Sequence, residues 1–101
     1  MMSKIFLARF EAMMAKFNVT YNNIGSVCQA QEKYDEALEY YQKDLKIRLM
    51  VYGQDHALVA ESYHKIGTVY DSQVKQEEAL EFYQKSLEIR IRLQVEDGPN
   101  P

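Results

Sequence analysis

The chain has 101 residues, which is enough for one domain with a modest core. With 47% hydrophobic and 27% charged residues, its composition is that of a folded protein rather than a disordered one. Its formal net charge of −3 argues against a general nucleic-acid or anionic-membrane surface, because both need clustered Lys and Arg.

Residues 3–31 predict one continuous helix. They contain no proline and a single glycine, and their large apolar residues are spaced by three or four positions, as on one side of a helix. Such a helix would be about 43 Å long at 1.5 Å per residue, so that its first half, residues 1–16, projects as an arm. The alternative is a turn at residues 11–15, which would let residues 3–10 pack as the remnant of a preceding helix. The apolar stripe consists of Phe6, Phe10, Met13, Phe17, Tyr21, Ile24 and Cys28.

A second helix is predicted from Tyr34 to Tyr52, after a polar break at residues 31–33. Two pairs of oppositely charged residues stand at i,i+4 on this helix, with the acidic residue first, and we expect them on a solvated face. They are Glu39 with Lys43 and Asp44 with Arg48. The residues expected to face inward are Ala37, Leu38, Tyr41, Leu45 and Leu49.

Gly53 is a helix stop, and Asp55 is a suitable N-cap for a third helix that runs to about Gln73. Its inward positions are Tyr63, Ile66, Gly67 and Tyr70. A polar turn at residues 74–75 precedes a fourth helix over residues 76–94, and residues 95–101 have the composition of a flexible tail.

An internal repeat organises the chain. Residues 34–48 return 42 positions later as residues 76–90, and 16 of the 32 residues in 17–48 are identical to their counterparts. A period of this size predicts a solenoid with a concave binding surface. Gly25 recurs as Gly67, although glycine costs about 1 kcal/mol in a helix interior. We therefore expect another helix to pass too close for a Cβ at both places.

The repeated helix-turn-helix unit resembles the tetratricopeptide repeat. The matching residues are Tyr21, Ile24, Gly25, Cys28, Ala37 and Tyr41 in one copy and Tyr63, Ile66, Gly67, Tyr70, Ala79 and Tyr83 in the other. The ordinary repeat has about 34 residues, and this longer one is similar to the 42-residue variety of kinesin light chains. The resemblance implies an all-α solenoid of two full repeats, residues 17–53 and 54–94, preceded by the arm.

The chain departs from the family pattern at two kinds of position. Glu32 and Val74 replace the usual turn glycine, and because a β-branched residue is strained at positive φ, we expect the second turn to avoid the left-handed conformation. Asp44 and Ser86 stand where alanine is usual. Since a buried, unpaired carboxylate is costly, we expect Asp44 to be at least partly exposed.

Motifs that carry chemistry are largely missing from the sequence. His56 and His64 lack the cysteines of a zinc site, and His56 is better explained as a helix cap. Glu61 and His64 at i,i+3 could share a metal, which we consider the weaker interpretation. Cys28 lies on the inward stripe, as an inert packed thiol would. We predict no enzyme activity, no metal and no cofactor.

Compartment and membrane association follow from similar arguments. A single cysteine leaves no intrachain disulfide framework and favours a reducing compartment. No uninterrupted apolar run approaches the roughly 20 residues of a membrane helix, and no small-residue cleavage site follows an apolar block. We expect a cytoplasmic protein.

By resemblance, the first helix of each repeat forms a concave groove that binds a protein or peptide. The carboxylate-clamp subclass is not implied, because Val19, Ser26 and Glu61 stand where parts of its basic and amide set would be. Chaperone C-terminal tails are therefore not the expected ligands. The predicted groove residues are Asn22, Asn23, Ser26, Gln29, His64, Lys65, Thr68 and Asp71.

Two functions remain open at this point. The first is a protein-interaction module that presents its groove to a peptide or partner domain. The second is a self-association element whose repeats stack between chains. We also predict a homodimer through the N-terminal helix, because an apolar stripe of this size is rarely left in water. Its interface residues would be Phe6, Phe10, Met13 and Phe17.

Overall fold

A computed structural model of the protein describes residues 3–97, and these residues form four α-helices and no strand. The helices are α1 (Lys4–Ala30), α2 (Tyr34–Tyr52), α3 (Ala57–Ser72) and α4 (Gln76–Asp97). Each helix packs mainly on the next one in the chain, and the short connections make neighbours antiparallel. The predicted all-α helical repeat fold is confirmed.

The first helix is continuous through residues 4–30, and the alternative turn at residues 11–15 does not form. Its start is set by Ser3, whose hydroxyl accepts the backbone N–H of Phe6 at 3.1 Å. α1 has 27 residues whereas α3 has 16, so residues 4–14, within the predicted arm, have no counterpart in the second repeat. Residues 1–2 of the arm lie outside the described residues.

The turn between the two helices of each repeat contains a residue in the left-handed conformation, with φ of 63° at Glu32 and 61° at Val74. The prediction that the second turn avoids it was wrong. The N–H of Lys75 donates to the carbonyl oxygen of Tyr70 at 2.9 Å. The N–H of Val74 donates to the carbonyl oxygen of Asp71 at 2.9 Å. These bonds satisfy carbonyl groups that the end of α3 would leave unpaired, and they offset the strain of a β-branched residue.

The linker between the repeats begins as predicted and ends differently. Gly53, at φ 81°, ends α2. The N-cap of α3 is His56 rather than Asp55, because the His56 Nδ1 accepts the N–H of Leu58 at 3.0 Å, and the predicted capping role of His56 is confirmed. Asp55 instead accepts a hydrogen bond from Arg92 Nε at 2.9 Å, and this bond joins the linker to α4. α4 continues to Asp97, past the predicted end at Gln94, and residues 98–101 of the predicted tail lie outside the described residues.

The core is built on a tyrosine ring packed against a glycine in each repeat. A Cβ added to Gly25 would lie 2.7 Å from ring atoms of Tyr41, and one added to Gly67 would lie 2.7 Å from the ring of Tyr83. The following helix therefore approaches each glycine closely, as expected. The group that leaves no room for a Cβ is mainly a tyrosine ring on that helix. The buried residues around Tyr41 are Cys28, Ala37, Ile66 and Val69.

We expect Gly25→Ala to lower the free energy of unfolding by about 1 to 3 kcal/mol, the usual cost of an overpacked core. Alanine improves helix propensity by about 1 kcal/mol, but Tyr41 is 2% exposed and has no room to move. Gly67→Ala is the matched control, because the ring of Tyr83 is less buried and can turn away. Urea unfolding of both variants tests this expectation. A Gly25→Ala protein at least as stable as Gly67→Ala would contradict it.

Candidate functional site

The eight predicted groove residues lie on the adjacent helices α1 and α3, and we call the surface they form the polar wall. Two hydrogen bonds hold its two halves together. Lys65 Nζ donates to Asn22 Oδ1 at 2.6 Å, and Gln29 Nε2 donates to Thr68 Oγ1 at 3.1 Å. The structure therefore brings four of the eight residues into direct contact, and these four form the seam between the repeats.

The other four residues of the polar wall are exposed. Tyrosines from the second helix of each repeat lie behind them. Tyr41 Oη is 3.2 Å from Ser26 Oγ, and Tyr83 Oη donates to Asp71 Oδ2 at 3.4 Å. The exposed residues are Asn23, Ser26, His64 and Asp71.

The two tyrosines act as hydrogen-bond donors to the wall. Burial raises the pKa of Tyr41, and burial together with the neighbouring Asp71 carboxylate raises the pKa of Tyr83. Both phenols therefore stay protonated at neutral pH. Tyr41 Oη donates to Gln29 Oε1 at 2.9 Å, which orients the Gln29 amide so that its nitrogen reaches Thr68.

Asn23 and Lys65 occupy equivalent positions in the two repeats, but their surroundings differ. Lys65 Nζ lies 3.3 Å from Glu61 Oε1 and 6.0 Å from the centre of the Tyr41 ring, in addition to its bond to Asn22. Asn23 is exposed, because within the described residues no helix lies against that side of α1. Lys65 therefore contributes to the packing of α3 on α1, a role that its position in the repeat did not predict.

The exposed part of the polar wall can bind, but it lacks the groupings needed for metal chemistry. An amide, a hydroxyl, an imidazole and a carboxylate supply both donors and acceptors, which is what an extended peptide backbone requires. Within residues 3–97, no group of three or more His, Cys, Asp or Glu side chains could hold a metal ion. No helix in that part of the chain is long and apolar enough to span a membrane.

A buried polar network lies next to the wall, between α2 and α3. Asp44 is fully buried, its Oδ1 lies 3.0 Å from Arg48 Nε, and its Oδ2 accepts the Ser62 hydroxyl at 3.1 Å. Arg48 Nη1 also donates to the carbonyl oxygen of Leu58 at 2.7 Å. The expectations that Asp44 is partly exposed and that the Asp44–Arg48 pair faces solvent were both wrong. α3 covers the pair and supplies the Ser62 hydroxyl that makes burial tolerable.

The exposed pair on α2 shows the contrast. Lys43 Nζ and Glu39 Oε1 are 3.6 Å apart, and both side chains are exposed, as predicted. A surface pair of this kind contributes little to stability. The two pairs differ in that Ser62, on the neighbouring helix α3, gives the Asp44 carboxylate a buried hydrogen-bond donor. The i,i+4 spacing within α2 carries no information about that serine.

The carboxyl group of Asp44 should make stability depend on pH in an unusual direction. Burial raises its pKa, and Arg48 and Ser62 offset only part of that effect. The folded chain therefore binds this proton more tightly than the unfolded chain, whose Asp pKa is about 3.9. The resulting stabilisation is complete below that value and is lost as the pH rises through the folded pKa.

The matched variant is Asp44→Asn, which keeps the size of the side chain and cannot titrate. We expect the free energy of unfolding of the wild type, minus that of Asp44→Asn, to fall as the pH rises from about 4 and to level off above the folded pKa. Chemical denaturation of both proteins across this pH range measures the difference. A difference that rises with pH would mean that pairing with Arg48 outweighs burial.

Comparison with known proteins agrees with this arrangement. A family model described as tetratricopeptide repeat matches residues 17–92, which include α2, α3 and most of α4. The search of curated proteins found no match, and the search of solved structures found none either. The match excludes the arm, residues 1–16, and covers most of the chain. With its paired antiparallel helices and the glycine that faces a tyrosine in each copy, the chain belongs to the tetratricopeptide repeat family.

Proposed function

We propose that the chain is a protein-interaction module that binds an extended peptide or a partner domain on the polar wall. Tetratricopeptide repeats generally serve as non-catalytic scaffolds for protein partners, and we accordingly propose no enzyme activity. The observation that carries the proposal is the exposure of Asn23, Ser26, His64 and Asp71 beside a seam held by two cross-helix hydrogen bonds. A site on such a fixed seam binds without first ordering its own backbone.

The chemistry of the wall favours a ligand with a polar backbone rather than a strongly charged one. Lys65 is already paired with Glu61, and Asp71, which accepts a hydrogen bond from Tyr83, is the single carboxylate among the eight wall residues. The wall therefore presents no cluster of like charges. The amide of Asn23 and the imidazole of His64 remain exposed, and each can hydrogen-bond with backbone N–H or C=O groups.

We also propose the finer classification and location of the chain. Its period of 42 residues supports the kinesin-light-chain-like variety, with the arm at residues 1–16, one repeat at residues 17–53 and a second that starts at residue 54 and ends with α4. Cys28 is a free, buried thiol, which is compatible with a reducing cytoplasm.

Peptide selection tests the proposed site. We expect peptides selected from a displayed random library to bind the double variant Asn23→Ala, His64→Ala about tenfold more weakly or worse, since each lost hydrogen bond costs about 0.5 to 1.5 kcal/mol. Lys65→Ala should also weaken binding, but it breaks the bond to Asn22 and so cannot separate binding from packing.

The control for this experiment is Lys46→Ala, an exposed change on α2. Calorimetry should show that Lys46→Ala binds the selected peptides with the wild-type affinity. Selected peptides that bind the double variant as tightly as the wild type, or that lose affinity with Lys46→Ala, would move the site away from the polar wall.

A second function, homodimerisation through the N-terminal helix, is favoured by the apolar surface of the arm. Phe6, Met13 and Phe17 are 56%, 48% and 46% exposed, and Phe10 is half-buried. A shallow apolar cavity of about 260 Å³ lies between Phe6, Arg9, Phe10 and Met13. Burying each large apolar side chain contributes about 1.5 to 3 kcal/mol. A two-fold contact would let one self-complementary patch serve both chains.

Light scattering tests the arm dimer. We expect the wild type to show the mass of a dimer at tens of micromolar, and Phe6→Glu, Phe10→Glu to show the mass of a monomer, because each glutamate would place a charge in the apolar contact. Both substitutions lie before the repeats, so the helical circular dichroism of the variant should match the wild type. A monomeric wild type at this concentration would rule out the arm dimer.

A further inference from the structure

The outer face of α4 carries an apolar row on which nothing in residues 3–97 packs. Leu80 and Leu87 are 56% exposed, and Ile91 is 50% exposed. Their counterparts 42 positions earlier lie on α2, where they are partly buried and pack against core clusters that include residues of α3. Those counterparts are Leu38, Leu45 and Leu49. α4 therefore presents the surface that α2 uses to hold α3.

The opposite end of the molecule presents the other half of the same contact. On α3, Val59 and Val69 are fully buried, because α2 and α4 enclose that helix. Their counterparts on α1 are Phe17, which is 46% exposed, and Val27, which is 56% exposed. α1 thus carries the apolar surface of a helix that follows another repeat, and within the described residues no helix covers it.

We propose that the chain associates head to tail, with α1 of one copy packed on α4 of a second copy as α3 packs on α2. The contact continues an interface that the structure already contains, and both of its halves are present on one chain. This proposal does not rest on peptide binding, although the contact would also use Asn23 and His64 of the polar wall. It also differs from the arm dimer, which uses one patch twice.

A cavity at the outer edge of α4 supports the match in shape. It has a volume of about 310 Å³ and is lined by His64, Tyr83, Ser86, Leu87 and Arg90. The corresponding place in the first repeat is occupied by side chains of α3, since Lys65 reaches Asn22 and the face of Tyr41, and Glu61 reaches Arg48 at 3.8 Å. The α1 counterparts of Lys65 and Glu61 are Asn23 and Val19, and both are exposed. They would enter the cavity of the second copy.

The polar contacts agree with the same placement. In the α2–α3 contact, Arg48 donates to the Leu58 carbonyl oxygen, to which the Ser62 hydroxyl also donates at 3.3 Å. α1 repeats the second half of this arrangement, because the Thr20 hydroxyl donates to the Lys16 carbonyl oxygen at 3.2 Å. Arg90, the counterpart of Arg48, is exposed on α4. It would donate to the Lys16 carbonyl oxygen of the second copy.

The geometry of such a contact makes a prediction that a two-fold dimer does not. Each copy uses a different surface at each end, so the contact is heterologous and further copies can add. Leu87→Glu disrupts the α4 side of the proposed contact and leaves the α1 side intact. Val27→Glu disrupts the α1 side and leaves the α4 side intact. Both side chains are exposed, so neither change disturbs the core.

Sedimentation over a concentration series tests the proposal. To remove the arm contact, the series is run at hundreds of micromolar on Phe6→Glu, Phe10→Glu protein. This protein should grow beyond the mass of two copies, each further variant alone should remain a monomer, and an equimolar mixture of the two should form a pair and nothing larger. Leu80→Glu and Thr20→Glu repeat the test on the same faces if a variant loses its helical spectrum.

Three results would overturn head-to-tail association. One is a wild type that stays monomeric up to hundreds of micromolar, and another is a mixture of the variants that fails to pair. The third is association that survives both Leu87→Glu and Val27→Glu and is lost only in Phe6→Glu, Phe10→Glu, which would identify the arm dimer instead. Binding of a selected peptide by Leu87→Glu is measured separately, so the failure of either proposal leaves the other distinguishable.

Discussion

The packing of the Tyr41 ring on Gly25 is the contact on which the rest of the structure depends. It sets how closely α2 approaches α1, and it delivers the phenol group to Gln29. Gln29 in turn reaches Thr68 on α3, so one side chain connects the core of the first repeat to the seam of the polar wall. In the second repeat, Tyr83 makes the same ring contact and its hydroxyl meets Asp71, the counterpart of Gln29, but within the described residues no third repeat lies beyond Asp71 to continue the connection.

The buried network of Asp44, Arg48 and Ser62 contributes specificity more than stability. Removing two charges from water is expensive, and their attraction at 3.0 Å repays only part of that cost. What the network does provide is a fixed register, because Arg48 can reach the Leu58 carbonyl oxygen in only one placement of α3 on α2. The second repeat has Ser86 in place of Asp44, and Arg90 there is exposed, so the end of the molecule keeps part of this arrangement without the buried charge.

The fold could be predicted from the sequence because its signals are local. The absence of proline from residues 3–31 and their regular apolar spacing predicted a continuous α1, and the repeated glycine predicted a close approach. The environments of Asp44 and Lys65 could not be predicted in the same way. A repeat period fixes the side of a helix on which a residue lies, whereas burial depends on which neighbour is present at that end of the array. Lys65 has α1 beside it, whereas no helix among residues 3–97 lies beside Asn23 in the same way, so equivalent positions have different partners.

The order of the contacts along the chain has a consequence for folding. Because each helix packs mainly on the next one, most contacts join residues close in sequence, and such topologies fold fast. α2 and α3 each have a closely packed helix on both sides. Within the described residues α4 packs mainly on α3, and α1 packs mainly on α2, with two hydrogen bonds to α3. Stability is therefore greatest at the centre, and we expect the exposed first turns of α1, residues 4–9, to exchange their amide hydrogens first.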